Sequence, residues 1–379
     1  MRLLHTADWH LGRALNGASF LEDQAHLLRG QFLDTLRETR PDALLIAGDV
    51  FDRAVPPIEA VELLDEILRR TVLELRIPVV LIPGNHDATE RLAFAASLLR
   101  GAGLHIADSA LGAPVRLEDR HGEVWVLPSG YASPLLLAQV LGDRDIADHD
   151  AGHGVLCRML RGRCPAGARM VMLAHAFVAG GEECESERLL AVGGAKPVCP
   201  SRFEGFHYVA LGHLHRPQSL MGGRLRYAGS PLAYSFSEAG QAKSLTLVEI
   251  DGAGAVRTEA IPLSPRRQLR RLRGAFAELL ANAPAAGRED WLEVTLTDPL
   301  PVFEAQRRLA EIYPHVLGFA YARHERLDEA DLPAPRRPQA TEPLGLFGEF
   351  WREMRGEPLP DAARPVAASA ISLAAAAEG

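Results

Sequence analysis

The sequence predicts an α/β protein with a two-sheet core flanked by helices, followed by a small α+β domain and a short apolar helix. Three observations predict it. Short apolar runs alternate with amphipathic helical stretches over residues 1–82, the pattern of strands joined by crossover helices. Further candidate strands follow at 104–107, 124–128, 170–174, 207–211, 225–228 and 244–250 with only short helices among them, which favours two sheets over one doubly wound sheet. Metal-binding side chains stand just past the ends of several apolar runs, and sites in such sheets form at the carboxyl ends of the strands.

In chain order, residues 1–7 read as a buried strand, and 21–39 as a helix with Leu21, Ala25, Leu28, Phe32 and Leu36 along one face. Ala43-Leu44-Leu45-Ile46-Ala47 is the next strand and ends at Gly48-Asp49. Pro56-Pro57 opens a helix through about Glu74, proline being tolerated in a first turn. The leucines of that helix can face the sheet or line a homodimer interface. Val79-Val80-Leu81-Ile82 is a third strand and ends at Pro83-Gly84-Asn85-His86-Asp87. Composition changes near Pro262, which sets a first domain at 1–260 and a second at 261–327, the latter with a helix at 275–282, a strand at 291–297 and a helix at 301–312. The Pro- and charge-rich stretch 328–343 reads as a linker. Residues 344–379 hold a helical segment at 344–354 and an Ala-rich tail expected to be poorly ordered.

A length of 379 residues suits two or three domains. The net charge of −8 gives no overall attraction to nucleic acid, so any DNA contact needs local patches, or metals that neutralise an acidic site. Cys157, Cys164, Cys184 and Cys199 lack zinc-finger or C-x-x-C spacing and read as reduced cytosolic thiols. No apolar stretch approaches the ~20 residues of a membrane helix. Met1-Arg2-Leu3-Leu4-His5 runs directly into the first motif, unlike a signal peptide. The expected location is the cytoplasm.

Five segments offer metal ligands: Asp8-Trp9-His10, Gly48-Asp49, Gly84-Asn85-His86-Asp87, His175, and Gly212-His213-Leu214-His215. Carboxylate, amide and imidazole together suit divalent manganese, iron or zinc. Two such ions side by side are a standard means of breaking phosphate esters. They need a bridging ligand, because cations ~4 Å apart repel strongly. Asp49 fits, as a lone carboxylate after a strand with glycine before it. Asp8 and His10 lie two apart and can share one ion, and His213 and His215 repeat that spacing, one per ion. Asn85 gives a neutral oxygen to the second ion and His175 completes its shell. His86 can give a proton to the leaving oxygen, with Asp87 expected to hold its imidazole.

These residues, in this order, resemble the calcineurin-like metallophosphoesterase superfamily. Leu-His-Thr-Ala-Asp-Trp-His-Leu-Gly (4–12), Ala-Gly-Asp-Val-Phe-Asp (47–52), Ala-Leu-Gly-His-Leu-His-Arg-Pro-Gln (210–218) and Tyr-Ala-Gly-Ser-Pro-Leu (227–232) are similar to the SbcD-type exonuclease subunits of the bacterial SbcCD and recombination-nuclease family. The resemblance implies a four-layer αββα sandwich with Asp8, His10, Asp49 and His215 on one manganese (Mn2+). It implies Asn85, His175, His213 and the shared Asp49 on the other, with His86 as catalyst. It also implies a DNA-selecting capping domain and action with an SbcC-type ATPase of the Rad50 class, as a homodimer within a heterotetramer. The implied activities are double-strand exonuclease, 3'-5', and single-strand endonuclease that opens hairpins and processes DNA ends in replication, recombination and repair. Two departures stand out. Asp52 occupies the place of a histidine found in archaeal relatives, and Ala174 precedes His175 where Gly is common, a methyl expected to alter loop geometry.

Arg266, Arg267, Arg270, Arg271 and Arg273 lie within eight residues and can grip DNA phosphates or pair with acidic groups of the core. Leu344, Phe347, Phe350, Trp351 and Met354 form a stripe at helical spacing after the linker, suited to docking on a partner. The family resemblance points that stripe to the base of the ATPase coiled coil. The competing function on the same core is a small-substrate phosphomonoesterase or cyclic-nucleotide phosphodiesterase. A non-catalytic scaffold is disfavoured because no ligand is missing.

Overall fold

A computed structural model describes residues 1–187, 196–283, 287–322 and 342–377. The chain divides into two compact units, Met1–Tyr321 and Ala322–Gly379.

The apolar runs of the first unit form two six-stranded sheets. The first runs in the order Val256–Pro262, Ser244–Ile250, Arg2–Thr6, Ala43–Ala47, Val79–Ile82, Leu104–Ile106. Its last four strands are parallel, with Leu3 beside Ala43 and Ala47 beside Ile82. The second runs Gln218–Leu220, Leu225–Tyr227, Tyr208–Gly212, Arg169–His175, Gly122–Ser129, Val115–Asp119, with antiparallel strands only at its two edges. Strands that carry Val, Leu, Ile and Ala on both faces must be covered on both. The inner faces meet in a shared core that includes Leu3, Leu45, Val80, Val126, Val171 and Ala210. The outer face of the first sheet packs on helices through Leu36, Leu63 and Ile67, and that of the second through Leu137, Leu156 and Leu160. This is the four-layer αββα arrangement.

Local differences from the sequence reading have physical causes. The helix expected over 21–39 is broken at Gly30, whose φ of −95° and ψ of −108° leave helical space. Strands 115–119 and 256–262 escaped the reading because they lie at sheet edges and alternate apolar with charged residues. Asn16-Gly17, both at positive φ, turn a short hairpin, Ala14–Leu15 with Ala18–Ser19. Ala174 sits in a regular strand opposite Leu211 and Ser129, and its methyl packs in the second-sheet core.

Where an α+β domain was expected, residues 269–321 form a parallel sheet, Leu269–Gly274, Trp291–Leu296 and Val316–Tyr321, linked by helices Phe276–Ala281 and Ala305–Ala310. Arg270, Arg271 and Arg273 lie on the first of these strands. Phe276, Leu292, Val294, Leu296, Leu309 and Tyr313 are the core of the domain. The last residues assigned to this domain, 323–327, and residues 328–341 of the expected linker lie outside the described residues. In the second unit, helix Pro343–Arg355 carries the apolar stripe. The tail expected to be poorly ordered instead forms helix Arg364–Ala377, as the high helix propensity of alanine favours. Among the described residues no helix is long and apolar enough to cross a membrane.

Candidate metal centre

The first-sheet strands end in loops that turn back at once. Asp8, His10 and Asp49 hold φ of +53°, +44° and +48°. Such left-handed backbone is uncommon outside glycine, and Asp and His tolerate it better than most. Backbone bonds zip the first two loops together: Asp8 N–H to Gly48 O at 3.0 Å, His10 N–H to Asp49 O at 2.9 Å, and Leu11 N–H to Val50 O at 2.9 Å. The third loop is tied to the second by side chains. The Asp87 carboxylate accepts from the backbone N–H of Val50 (3.0 Å), Phe51 (2.9 Å) and Gly84 (2.8 Å). Asp49 Oδ1 accepts from His86 N–H at 2.9 Å.

The second sheet supplies imidazoles whose far nitrogens are occupied. His175 Nδ1 donates to Ala47 O at 2.8 Å, which leaves Nε2 at 3.0 Å from Asn85 Oδ1 and 3.4 Å from Asp49 Oδ2. His215 Nδ1 lies 3.1 Å from both Glu238 Oε1 and Ser186 Oγ, and its Nε2 lies 3.1 Å from His10 Nε2. His213, at φ +102°, gives its N–H to Asp8 Oδ1 at 2.9 Å and sets Nδ1 3.2 Å from Asn85 Oδ1. Two glycines let the sheets close up. A Cβ on Gly48, itself at φ +88°, would fall 2.4 Å from His175 Nδ1, and one on Gly212 only 1.9 Å from Ala47 O.

All seven expected ligands therefore converge. Ligand atoms of Asp8, His10 and His215, of Asp8, Asp49 and His175, and of His10, Asp49 and His86 each lie within 4.8 Å of one another, so Asp49 is common to two groups. Both carboxylates are buried, an arrangement that costs free energy without compensating positive charge. Burial lifts the Asp8 carboxyl well above the usual carboxylate range, and neighbouring Asp49 adds to this. Against its own burial, Asp49 is held well below that range by His175, His10 and His86. Burial alone would lower His175, but Asp49 and Asp8 carry it up to about 9. Asp8 Oδ2 is buried without any hydrogen-bond partner, and His10 Nδ1 has only the Asp52 carboxylate, at 3.5 Å. An orphaned oxygen, shared carboxylate and mixed O/N ligands fit divalent cations.

One expectation is corrected. Asp87 does not hold the His86 imidazole, because its carboxylate is taken up by three backbone N–H groups. His86 Nδ1 instead donates to the backbone carbonyl of Asp52 at 2.8 Å. Sequence reading also missed Gln24, Glu187 and Glu238, which bond the ligands or their backbone, and Tyr234, which bonds the carbonyl of Trp9; Asp52, singled out there for another reason, faces His10. The arginines of 266–273 are engaged elsewhere: Arg266 with Glu22, Arg267 with Glu22 and Asp23, Arg270 with Asp290, Arg271 with Glu293. None of these carboxylates belongs to the metal cluster, and Arg273 also has a partner.

A family model described as calcineurin-like phosphoesterase matches residues 1–217. The chain belongs to the calcineurin-like phosphoesterase family. A second model, SbcD_C, described as the Type 5 capsule protein repressor C-terminal domain, matches residues 265–355, spanning both the small parallel domain and the apolar helix. Together the two matches point to an SbcD-like phosphoesterase. Among solved structures, a dimetal phosphatase from Danio rerio matches at 13% identity and a TM-score of 0.38, over 70% of this chain and 99% of its own. This calcineurin-like phosphoesterase is a metal-dependent enzyme by family, and its Asp/His clusters suit two divalent ions.

Proposed function

We propose that the protein is the nuclease subunit of an SbcCD-like complex, a manganese-dependent DNA phosphodiesterase that trims duplex ends 3'-5' and opens hairpins. The observation that supports it best is one chain combining converging Asp/His clusters suited to two divalent ions with an SbcD_C region. Asp8, His10, Asp49 and His215 would hold one ion, and Asp49, Asn85, His175 and His213 the other. The ions, when bound, supply an acidic water and neutralise phosphate charge. The chain's own residues do the rest. His86, fixed through Nδ1 by the Asp52 carbonyl, would turn Nε2 toward the leaving oxygen as general acid. Asp87 shapes the loop that presents His86.

Helix Pro343–Arg355 would dock on a Rad50-class ATPase through Leu344, Phe347, Phe350, Trp351 and Met354. In its support, Phe350 is 57% exposed and the Phe347 ring groups with those of Phe350 and Trp351, whereas the Met354 side chain lies outside the described residues. Helix Ile58–Arg69 turns Ala60, Leu63 and Ile67 to the core while Ile58 and Val61 stay exposed, which favours a homodimer contact there. DNA contact by the 266–273 arginines would require exchanging their carboxylate partners for phosphate.

The test is manganese-supported hydrolysis of labelled duplex and hairpin DNA against an aryl phosphate, for wild type and His86→Ala. DNA hydrolysis is expected to fall by about 10²- to 10⁴-fold in the variant, with bound metal retained. Hydrolysis of the aryl monoester alone would favour a small-substrate phosphatase instead.

A further inference from the structure

One short helix touches both the first ligand loop and the small parallel domain. On Leu21–Leu27, Gln24 is buried and its whole amide is used. Its Nε2 donates to the carbonyls of Trp9 (3.0 Å) and His10 (2.8 Å) and lies 3.0 Å from the Tyr234 hydroxyl. Its Oε1 accepts from Gly12 N–H at 3.0 Å. The Tyr234 hydroxyl donates to Trp9 O, and its ring stands 5.5 Å from His10 and 5.8 Å from His215. The left-handed backbone at Asp8 and His10 is thus held by groups outside the ligand cluster.

Asp23, the preceding residue on that helix, is equally buried. It accepts from the Trp291 indole N–H at 2.9 Å and from Arg267 Nη1 at 3.1 Å, and Arg267 stacks 5.1 Å over the Trp291 ring. Phe20 stands edge-on to Trp291 at 5.4 Å and touches Tyr234 at 6.2 Å. A cavity of about 260 Å³ lies beside these contacts, lined by Phe20, Asp23, Glu238, Lys243, Arg267 and Trp291. Leu269 and Trp291 also join the hydrophobic core of the first-sheet helices there. Neighbouring helix positions face about 100° apart, so one rigid turn can grip both partners.

We propose that Gln24 is a positioning residue for the Asp8–His10 loop, and that Asp23 makes the seating of the small domain part of the same brace. Unseating Trp291 then weakens the metal position built on Asp8 and His10 and spares the one built on Asn85 and His175. This rests on the two-ion reading above and extends it to residues outside the cluster.

Metal-free full-length protein is titrated with MnCl2, with heat of binding and the paramagnetic signal of free Mn2+ followed together. Wild type is expected to take two ions. Gln24→Leu keeps the bulk and removes the amide, and it weakens one ion by about ten-fold or more without moving the other. Trp291→Phe keeps a ring and removes the N–H, and it weakens the same ion by a smaller factor. The double variant shows less than the product of the two effects. Tyr234→Phe gives the same one-ion signature and replaces Gln24→Leu if that variant does not fold. Equal weakening of both ions, or no response to Trp291→Phe, overturns the brace while the two-ion reading stands. A wild type that takes no ions overturns both.

Discussion

The two halves of the metal centre are built by opposite means. On the first sheet the loops themselves are forced into shape. Asp8, His10 and Asp49 sit in left-handed backbone, and buried polar side chains (Asp87, Gln24, and Asp49 through its Oδ1) clamp main-chain N–H and carbonyl groups. On the second sheet His175 ends a regular strand and is aimed by what its far ring nitrogen bonds, as His215 is. Clamped main chain shapes the first half, and bonds to the far ring nitrogens aim His175 and His215 in the second, where only His213, at φ +102°, shares the left-handed backbone. The first half should fail by loss of loop shape, the second by misdirection of individual rings.

The largest effect is expected on the second-sheet side, where the aiming network contains charge. Glu238 is buried against Lys243 Nζ at 2.6 Å while it holds His215. Glu238→Gln leaves that ammonium unpaired and should cost about 3–5 kcal/mol, read by denaturant unfolding. Unchanged stability would show that the ring is held by packing alone. Next comes Asp87→Asn on the first-sheet side, which disturbs three charge-assisted bonds and should cost about 1.5–3 kcal/mol. Its distinguishing mark is a fall in phosphoester hydrolysis with His86 still in place. If stability drops and turnover per folded molecule does not, loop shape matters less than argued. The smallest effect belongs to Ser186→Ala, which removes one of the two groups beside His215 Nδ1. It should cost about 0.5–1.5 kcal/mol and alter manganese affinity only slightly; a loss as large as that of Glu238→Gln would exchange their roles.

The same contrast explains what the sequence made legible. Ligands stand next to their own strands, so an apolar run followed by Asp8, Asp49, Asn85 or His175 announced both strand and site. The groups that aim the ligands come from far along the chain. Glu238 reaches His215 across 23 positions, and Tyr234 reaches Trp9 across 225. No local pattern marks either one. Asp87 was misjudged because adjacency to His86 suggested a side-chain bond, whereas the turn points its carboxylate at backbone N–H groups. The strand that carries much of the arginine run was hidden for a similar reason. Arg270, Arg271 and Arg273 accompany Leu269 and Leu272 on a strand whose pairing with Trp291–Leu296 only tertiary structure reveals.

Gly212 lies directly over the carbonyl of Ala47, with no room for a single carbon between them. The spacing of the two ligand sets is therefore set main chain to main chain, like a fixed gauge with no adjustable screw. Rotamer changes cannot widen it, and a ligand loop cannot swing open alone without leaving its partner sheet. A side chain added at Gly212 would have to push the two ligand sets apart.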